Sequence, residues 1–176
     1  MNAAPWLVVV DHQRVFADPA SDWGSPMFAD TLPVVADLAR EHGDRVVLTR
    51  WVPATGAARI GSWTDYFEAW PFADRPAEDH MFDLVEEARA LATPHVLTRP
   101  TFGKWGPALE AITGPAPTIT LVGVSTDCCV LSTALAAADG GARVRVVASG
   151  CAGSSVEAHE NALSVMRLYS PQIEVV

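Results

Sequence analysis

The stretch Thr118 to Ala138, TITLVGVSTDCCVLSTALAAA, reads as a strand that passes directly into a helix. Thr118 to Val122 is apolar and β-branched, as a parallel strand buried on both faces requires, and Gly123 breaks it. Thr126 or Asp127 reads as the N-cap, and Leu131, Ala134, Leu135 and Ala138 recur at helical spacing beyond it. Cys128 and Cys129 therefore fall in the first turn of a helix. Unpaired N–H groups and the helix dipole both favour thiolate there, and thiolate is the nucleophilic form of cysteine. The competing reading is a small thiol buried in a core helix, since free cysteines are among the most buried side chains.

The same alternation runs through the whole chain. Short apolar runs at Trp6 to Val10, Arg45 to Thr49, His95 to Thr98, Thr118 to Val122, Arg143 to Ala148 and Ile173 to Val176 predict strands. Longer runs at Met27 to Glu41, Phe82 to Leu91, Pro107 to Ile112, Asp127 to Asp139 and Ser154 to Leu168 predict crossover helices. The expected fold is α/β, a three-layer αβα, doubly wound, mainly parallel six-stranded sheet. With 176 residues, a single domain over residues 1–176 is expected. Val52 to His80 lacks clean periodicity and carries Trp63, Tyr66, Phe67, Trp70 and Phe72 among prolines and glycines. An aromatic insertion of this kind is expected to be a lid, a pocket wall or a subunit contact.

A formal net charge of −9 disfavours nucleic-acid backbones and anionic membrane surfaces, so the expected partner is a small molecule. Three cysteines, two of them adjacent, do not make an ordinary disulfide framework. The apolar run Trp6 to Val10 is too short for a signal core or a membrane span, and a cytoplasmic protein with reduced thiols is expected.

In open α/β sheets ligands bind beyond the carboxyl ends of the strands. Those ends carry Asp11, then Arg50 and Trp51, then Arg99 to Lys104, then Ser125 to Cys129. Lys104 is the only lysine, against eleven arginines. A position that keeps lysine in so arginine-rich a chain suggests a compact ammonium that a guanidinium cannot replace, and the apolar neighbours Phe102, Trp105 and Pro107 argue against a plain solvated loop. Asp11 reads either as a turn carboxylate bonded to backbone N–H groups or as a proton acceptor. A carboxylate, an ammonium and a thiol at neighbouring strand ends would form one constellation, with the ammonium favouring thiolate and the carboxylate moving the proton.

The opening Asp11-x-Gln13-x-x-Phe16, Lys104 followed by Ala108-Leu109, and Gly123-Val-Ser-Thr-Asp-Cys-Cys-Val130 with Thr133-Ala134 behind it resemble the isochorismatase-like cysteine hydrolases. That family includes nicotinamidases, carbamoylsarcosine amidohydrolases and ureidoacrylate hydrolases. The resemblance spans nearly the whole chain in order and spacing. It implies Cys129 as nucleophile, with Cys128 at the variable position, Asp11 as general base and Lys104 as the cation that lowers the thiol pKa. It also implies a cis peptide between Val124 and Ser125, the backbone N–H groups of Ser125 and Cys129 as oxyanion donors, and a homo-oligomer.

Nicotinamidases of this family hold a metal through Asp-x-His after the second strand, whereas this chain reads Thr49-Arg50-Trp51-Val52-Pro53. No catalytic metal and no cofactor are expected. His80 with Asp79 and Asp83 reads as a solvated helix start rather than a ligand set, and His12, His42, His95 and His159 form no ligand spacing. The expected reaction is hydrolysis of a small amide or carbamoyl C–N bond through a thioester. Phe16, Trp51, Phe102 and Trp105 are expected to line the pocket, with Arg50 available for a substrate carboxylate. Two alternatives stand beside it: vinyl-ether hydrolysis of the isochorismatase type, and a non-catalytic thiol-sensing or binding role.

Overall fold

The computed structural model describes residues 4–176. The chain runs β1 (Trp6–Val10), α1 (Arg14–Ala17), α2 (Phe28–His42), β2 (Val46–Trp51), α3 (Trp63–Ala69), α4 (Glu86–Arg89), β3 (His95–Arg99), α5 (Pro107–Thr113), β4 (Thr118–Val124), α6 (Leu131–Asp139), β5 (Arg143–Ala152), α7 (Val156–Arg167) and β6 (Ile173–Val175). All six strands are parallel, in the order β3-β2-β1-β4-β5-β6. The chain therefore winds outward in both directions from the β1–β4 pair, whose carboxyl ends flank the crevice where such sheets bind ligands.

The apolar runs become strands because both faces of the sheet are covered. Leu7 and Val9 pack with Phe28, Val35 and Ala39 of α2, while Val8 and Val10 pack on the other face with Leu109 of α5, Ala134 and Ala137 of α6 and Leu163 of α7. This two-residue alternation fixes the register, since a slip of one residue would exchange the two cores. Gly123 pairs with Val10 at φ 121°, and a Cβ there would lie 2.2 Å from the Val10 carbonyl oxygen. Only glycine lets β1 and β4 close up beside Asp11.

Several boundaries differ from those expected. Strand β2 continues to Trp51 and β5 to Ala152, the latter through a register shift opposite Leu121 and Gly123. The helix expected over Phe82 to Leu91 is reduced to a 3₁₀ turn at His80–Phe82 and the single turn α4. Leu84 forms an antiparallel bridge with Gln13, and the Val85 N–H donates to the His12 carbonyl at 2.9 Å, so this segment is held extended against the loop after β1. The helix expected from Asp127 starts with a π turn, Thr126–Val130, after a cis peptide between Val124 and Ser125.

His12 is buried against Phe28, with ring centroids 4.9 Å apart, and its Nδ1 has no partner. Burial pushes its pKa down to about 4. The unfolded chain binds this proton at the ordinary value of 6.5, so the stabilisation is complete above that pH and is lost as pH falls toward 4. The shift corresponds to about 3 kcal/mol. Urea unfolding of wild type and His12→Leu is expected to show wild type losing about that much more stability between pH 7 and pH 4; parallel pH profiles would overturn this.

Candidate active site

Asp11 leaves β1 in a left-handed conformation, φ 49°, which turns its carboxylate away from the strand pattern and into the crevice between strand ends. Its N–H donates to Thr49 Oγ1 at 3.1 Å, and that hydroxyl donates to Asp11 Oδ1 at 2.6 Å. Lys104 Nζ lies 2.9 Å from Oδ2, and both side chains are completely buried. The ammonium donates to the Thr101 carbonyl at 2.7 Å and meets Oδ2 outside hydrogen-bonding geometry. Oδ2 is therefore neutralised by charge while keeping a lone pair open to a proton.

A single hydroxyl joins this pair to the cysteine turn. Thr133 Oγ1 accepts from the Lys104 N–H at 3.0 Å and donates to the Cys129 carbonyl at 2.7 Å. Thr133 stands four residues after Cys129, the spacing at which a helical hydroxyl reaches back to a carbonyl. Thr133→Val keeps the volume and removes the bridge, and urea unfolding is expected to show a loss of about 2 kcal/mol; unchanged stability would mean the bridge is dispensable.

The turn is held from outside rather than by an N-cap. Ser125 is the capping residue and its side chain makes no cap bond. Thr126 Oγ1 lies 2.8 Å from His159 Nδ1, and the Asp127 carboxylate accepts from the Ser154 N–H and hydroxyl, both at 2.8 Å. The two residues expected to cap α6 are thus spent on the start of α7. The Ser125 carbonyl accepts from the N–H groups of Cys128 and Val130, both at 3.1 Å, and passes over that of Cys129.

The two neighbouring thiols shift each other's ionisation in opposite directions. The interaction with Cys129 favours charge on Cys128, the less buried thiol, and holds its pKa below the ordinary thiol value. The neighbouring Cys128, burial and the nearby Asp11 push Cys129 well up, against the opposing pull of Lys104. Lys104 pulls the Cys129 pKa down as expected, but the neighbouring Cys128, burial and Asp11 outweigh it, so the net direction is upward and favours the protonated thiol.

Above the turn lies a cavity of about 320 Å³ lined in part by Cys128 and Cys129. Phe16, Trp23, Trp51, Tyr66, Trp70 and Phe102 line it, with Asp22 and Asp127. Burial, and then the negative charge of either thiolate, pushes the Tyr66 phenol up, so its hydroxyl stays protonated beside the sulfurs. The Trp51 indole N–H is buried without an acceptor. Of the residues expected in the pocket, Phe16, Trp51 and Phe102 line it, whereas Trp105 and Arg50 do not. Trp105 packs over Gly140, where a Cβ would lie 2.3 Å from its Nε1, and against the core beneath the sheet. Arg50 turns toward the 3₁₀ turn and donates through Nε to the Phe82 carbonyl at 3.2 Å. Tyr66 and Trp70 come from the aromatic insertion, for which a pocket wall was one of the expected roles, whereas Trp23 and Asp22 went unforeseen because they lie in a segment without periodicity. The aromatic insertion serves as pocket wall: Trp63 and Tyr66 of α3 meet Phe102 at 5.0 and 5.4 Å, and Trp23 meets Phe72 at 5.0 Å. A larger open groove of about 710 Å³ along α1, lined by Arg14, Phe72, Arg75 and His80, touches neither thiol nor the Asp11–Lys104 pair.

Gln13, in the loop after β1, is buried and makes three bonds at 2.7 to 2.8 Å, from Nε2 to the carbonyls of Trp51 and Phe82 and from the Trp51 N–H to Oε1. It fixes the pocket wall against the loop that follows β1. The metal pattern of nicotinamidases finds no ligand set here. Trp51 stands edge-on to Trp23 and Phe82, and His80 is exposed and paired with Asp83 at 3.0 Å. Among the described residues no three His, Cys, Asp or Glu side chains converge to hold an ion.

Fold and site together define an α/β chain with a buried Asp–Lys pair beside a cysteine turn. The Isochorismatase domain family matches residues 5–175, and the chain belongs to that family. Among solved structures it is similar to an isochorismatase family protein from Desulfovibrio vulgaris, with TM-score 0.80 and 20% identity over 99% of this chain and 94% of that one. It is also similar to the nicotinamidase PncA from Bacillus subtilis, with TM-score 0.74 and 20% identity over 99% of both chains. A cysteine hydrolase from Pseudomonas syringae gives TM-score 0.78 and 16% identity over 97% of this chain and 87% of that one. At these identities the likeness concerns the fold. No curated protein sequence matches the chain. Among the described residues no helix is long and apolar enough to cross a membrane.

Proposed function

We propose that the chain hydrolyses the C–N bond of a small amide or carbamoyl compound through a thioester on Cys129. The observation that carries this is the wholly buried Asp11–Lys104 pair at 2.9 Å, joined by Thr133 to the Cys129 turn. Burying two charges is unfavourable unless they are paired, and here one carboxylate oxygen keeps a free lone pair beside a protonated thiol.

As the sulfur adds to the substrate carbonyl, the thiol proton passes to Asp11 Oδ2. Lys104 stays paired throughout and favours the developing thiolate. The N–H groups of Ser125 and Cys129 stabilise the oxyanion; a donor of this kind is worth about 3 kcal/mol in the transition state. Asp11 returns the proton to the nitrogen, the C–N bond breaks, and ammonia or an amine leaves a thioester. Water then adds to the thioester carbonyl, giving its proton to Asp11, and collapse releases the acid and restores the Cys129 thiol.

The test is intact-mass and peptide mapping of protein quenched during turnover of a small amide, with ammonia release measured in parallel. An acyl adduct on Cys129 is expected. Turnover with the adduct on Cys128 would shift the chemistry by one residue, and vinyl-ether cleavage without any adduct would favour the isochorismatase-type reaction.

A further inference from the structure

We infer that the pocket selects amides whose non-reacting end carries a compact positive charge and excludes those that carry a carboxylate. The inference takes the amide-hydrolysis reading for the reacting end and the cavity wall for the other. Six aromatic side chains surround about 320 Å³, at the small end of ligand sites. The faces of such rings are negative, so they attract cations and repel anions. The fully charged side chains among the lining residues, thiols aside, are the carboxylates of Asp22 and Asp127. Asp127 is held in place by two bonds of 2.8 Å from Ser154 and lines the same cavity as Cys128.

Among the described residues no lysine or arginine lines the cavity. Arg50 is turned to the Phe82 carbonyl, and Arg59 pairs with Asp74 while its guanidinium lies 4.3 Å over the Phe67 ring. Lys104 is committed to Asp11 and the Thr101 carbonyl. A substrate carboxylate would leave water for aromatic faces and two like charges, whereas an ammonium or trimethylammonium group would meet favourable partners on both counts.

Three primary amides isolate the charge: betaine amide, its uncharged isostere 3,3-dimethylbutanamide, and malonamate. Binding is read from tryptophan fluorescence of the Cys129→Ala protein, and turnover from ammonia release by wild type. Betaine amide is expected to bind at least about 10-fold more tightly than the isostere, with malonamate weaker than both. The same order is expected in kcat/KM, and Asp22→Asn is expected to narrow the ratio of betaine amide to isostere by about threefold. Equal affinities, or malonamate bound as tightly as betaine amide, would overturn the inference while leaving amide hydrolysis standing. The expected order of affinities with no ammonia from any of the three would support the charge preference and overturn amide hydrolysis instead.

Discussion

Cys129→Ala is expected to lower amide turnover by about 10,000-fold or more, the scale at which loss of a covalent nucleophile acts, while Cys128→Ala keeps turnover within about 10-fold of wild type. Both cysteines line the cavity, so proximity does not separate them. What separates them is the backbone. The Cys129 carbonyl is tied through Thr133 to the Lys104 loop, and the Cys129 N–H is the one that the Ser125 carbonyl passes over.

Alkylation follows a different rule from catalysis. Without substrate, iodoacetamide is expected to reach Cys128 first, because that residue is less buried and its pKa is held down by the neighbouring Cys129. Removing Cys128 removes the largest upward push on Cys129. The sign follows directly: in Cys128→Ala, labelling of Cys129 is expected to begin at lower pH than in wild type. If Cys128→Ala were the inactive protein and Cys129→Ala the active one, the nucleophile would be Cys128.

Lys104→Met is expected to lower stability by about 3 to 5 kcal/mol, since it strips the counter-charge from a fully buried carboxylate. Turnover is expected to fall by at least about 1,000-fold at the same time. Lys104→Arg keeps the charge but has to place a larger planar group where the lysine is 1% exposed, so strain of about 1 to 3 kcal/mol and loss of turnover are expected as well. Combining Asp11→Asn with Lys104→Met removes both charges and is expected to recover much of the stability, with no recovery of turnover. A stable, active Lys104→Arg protein would show that charge alone suffices. A double variant as unstable as Lys104→Met would show that packing, rather than the ion pair, sets the stability of this centre.

Much of this centre was legible in the sequence because its members sit where regular structure ends. Asp11 and the cysteine turn each close a strand whose apolar, β-branched run is unmistakable, and Lys104 stands out by composition. Parallel strands bring such ends together in three dimensions, so a local pattern was enough to assemble a distant constellation. The ionisation of the thiols was not legible. It depends on the interaction between neighbouring sulfurs, on burial, and on the opposing charges of Asp11 and Lys104.

The pocket wall divides along the same line. Phe16, Trp51 and Phe102 lie next to strand ends and were found from position alone. Trp105 and Arg50 have equally favourable positions yet face elsewhere, one drawn over the bare backbone of Gly140 and the other to the carbonyl of Phe82. The sequence by itself determined the strands, their parallel order of use and the Asp, Lys and Cys at their ends, because those follow from short-range periodicity and residue chemistry. Only the tertiary structure decided which aromatics enclose the cavity, in which direction each thiol's pKa moves and that the charged side chains lining the cavity are carboxylates. Those outcomes turn on packing and charge balance between segments tens of residues apart, where no local pattern reaches.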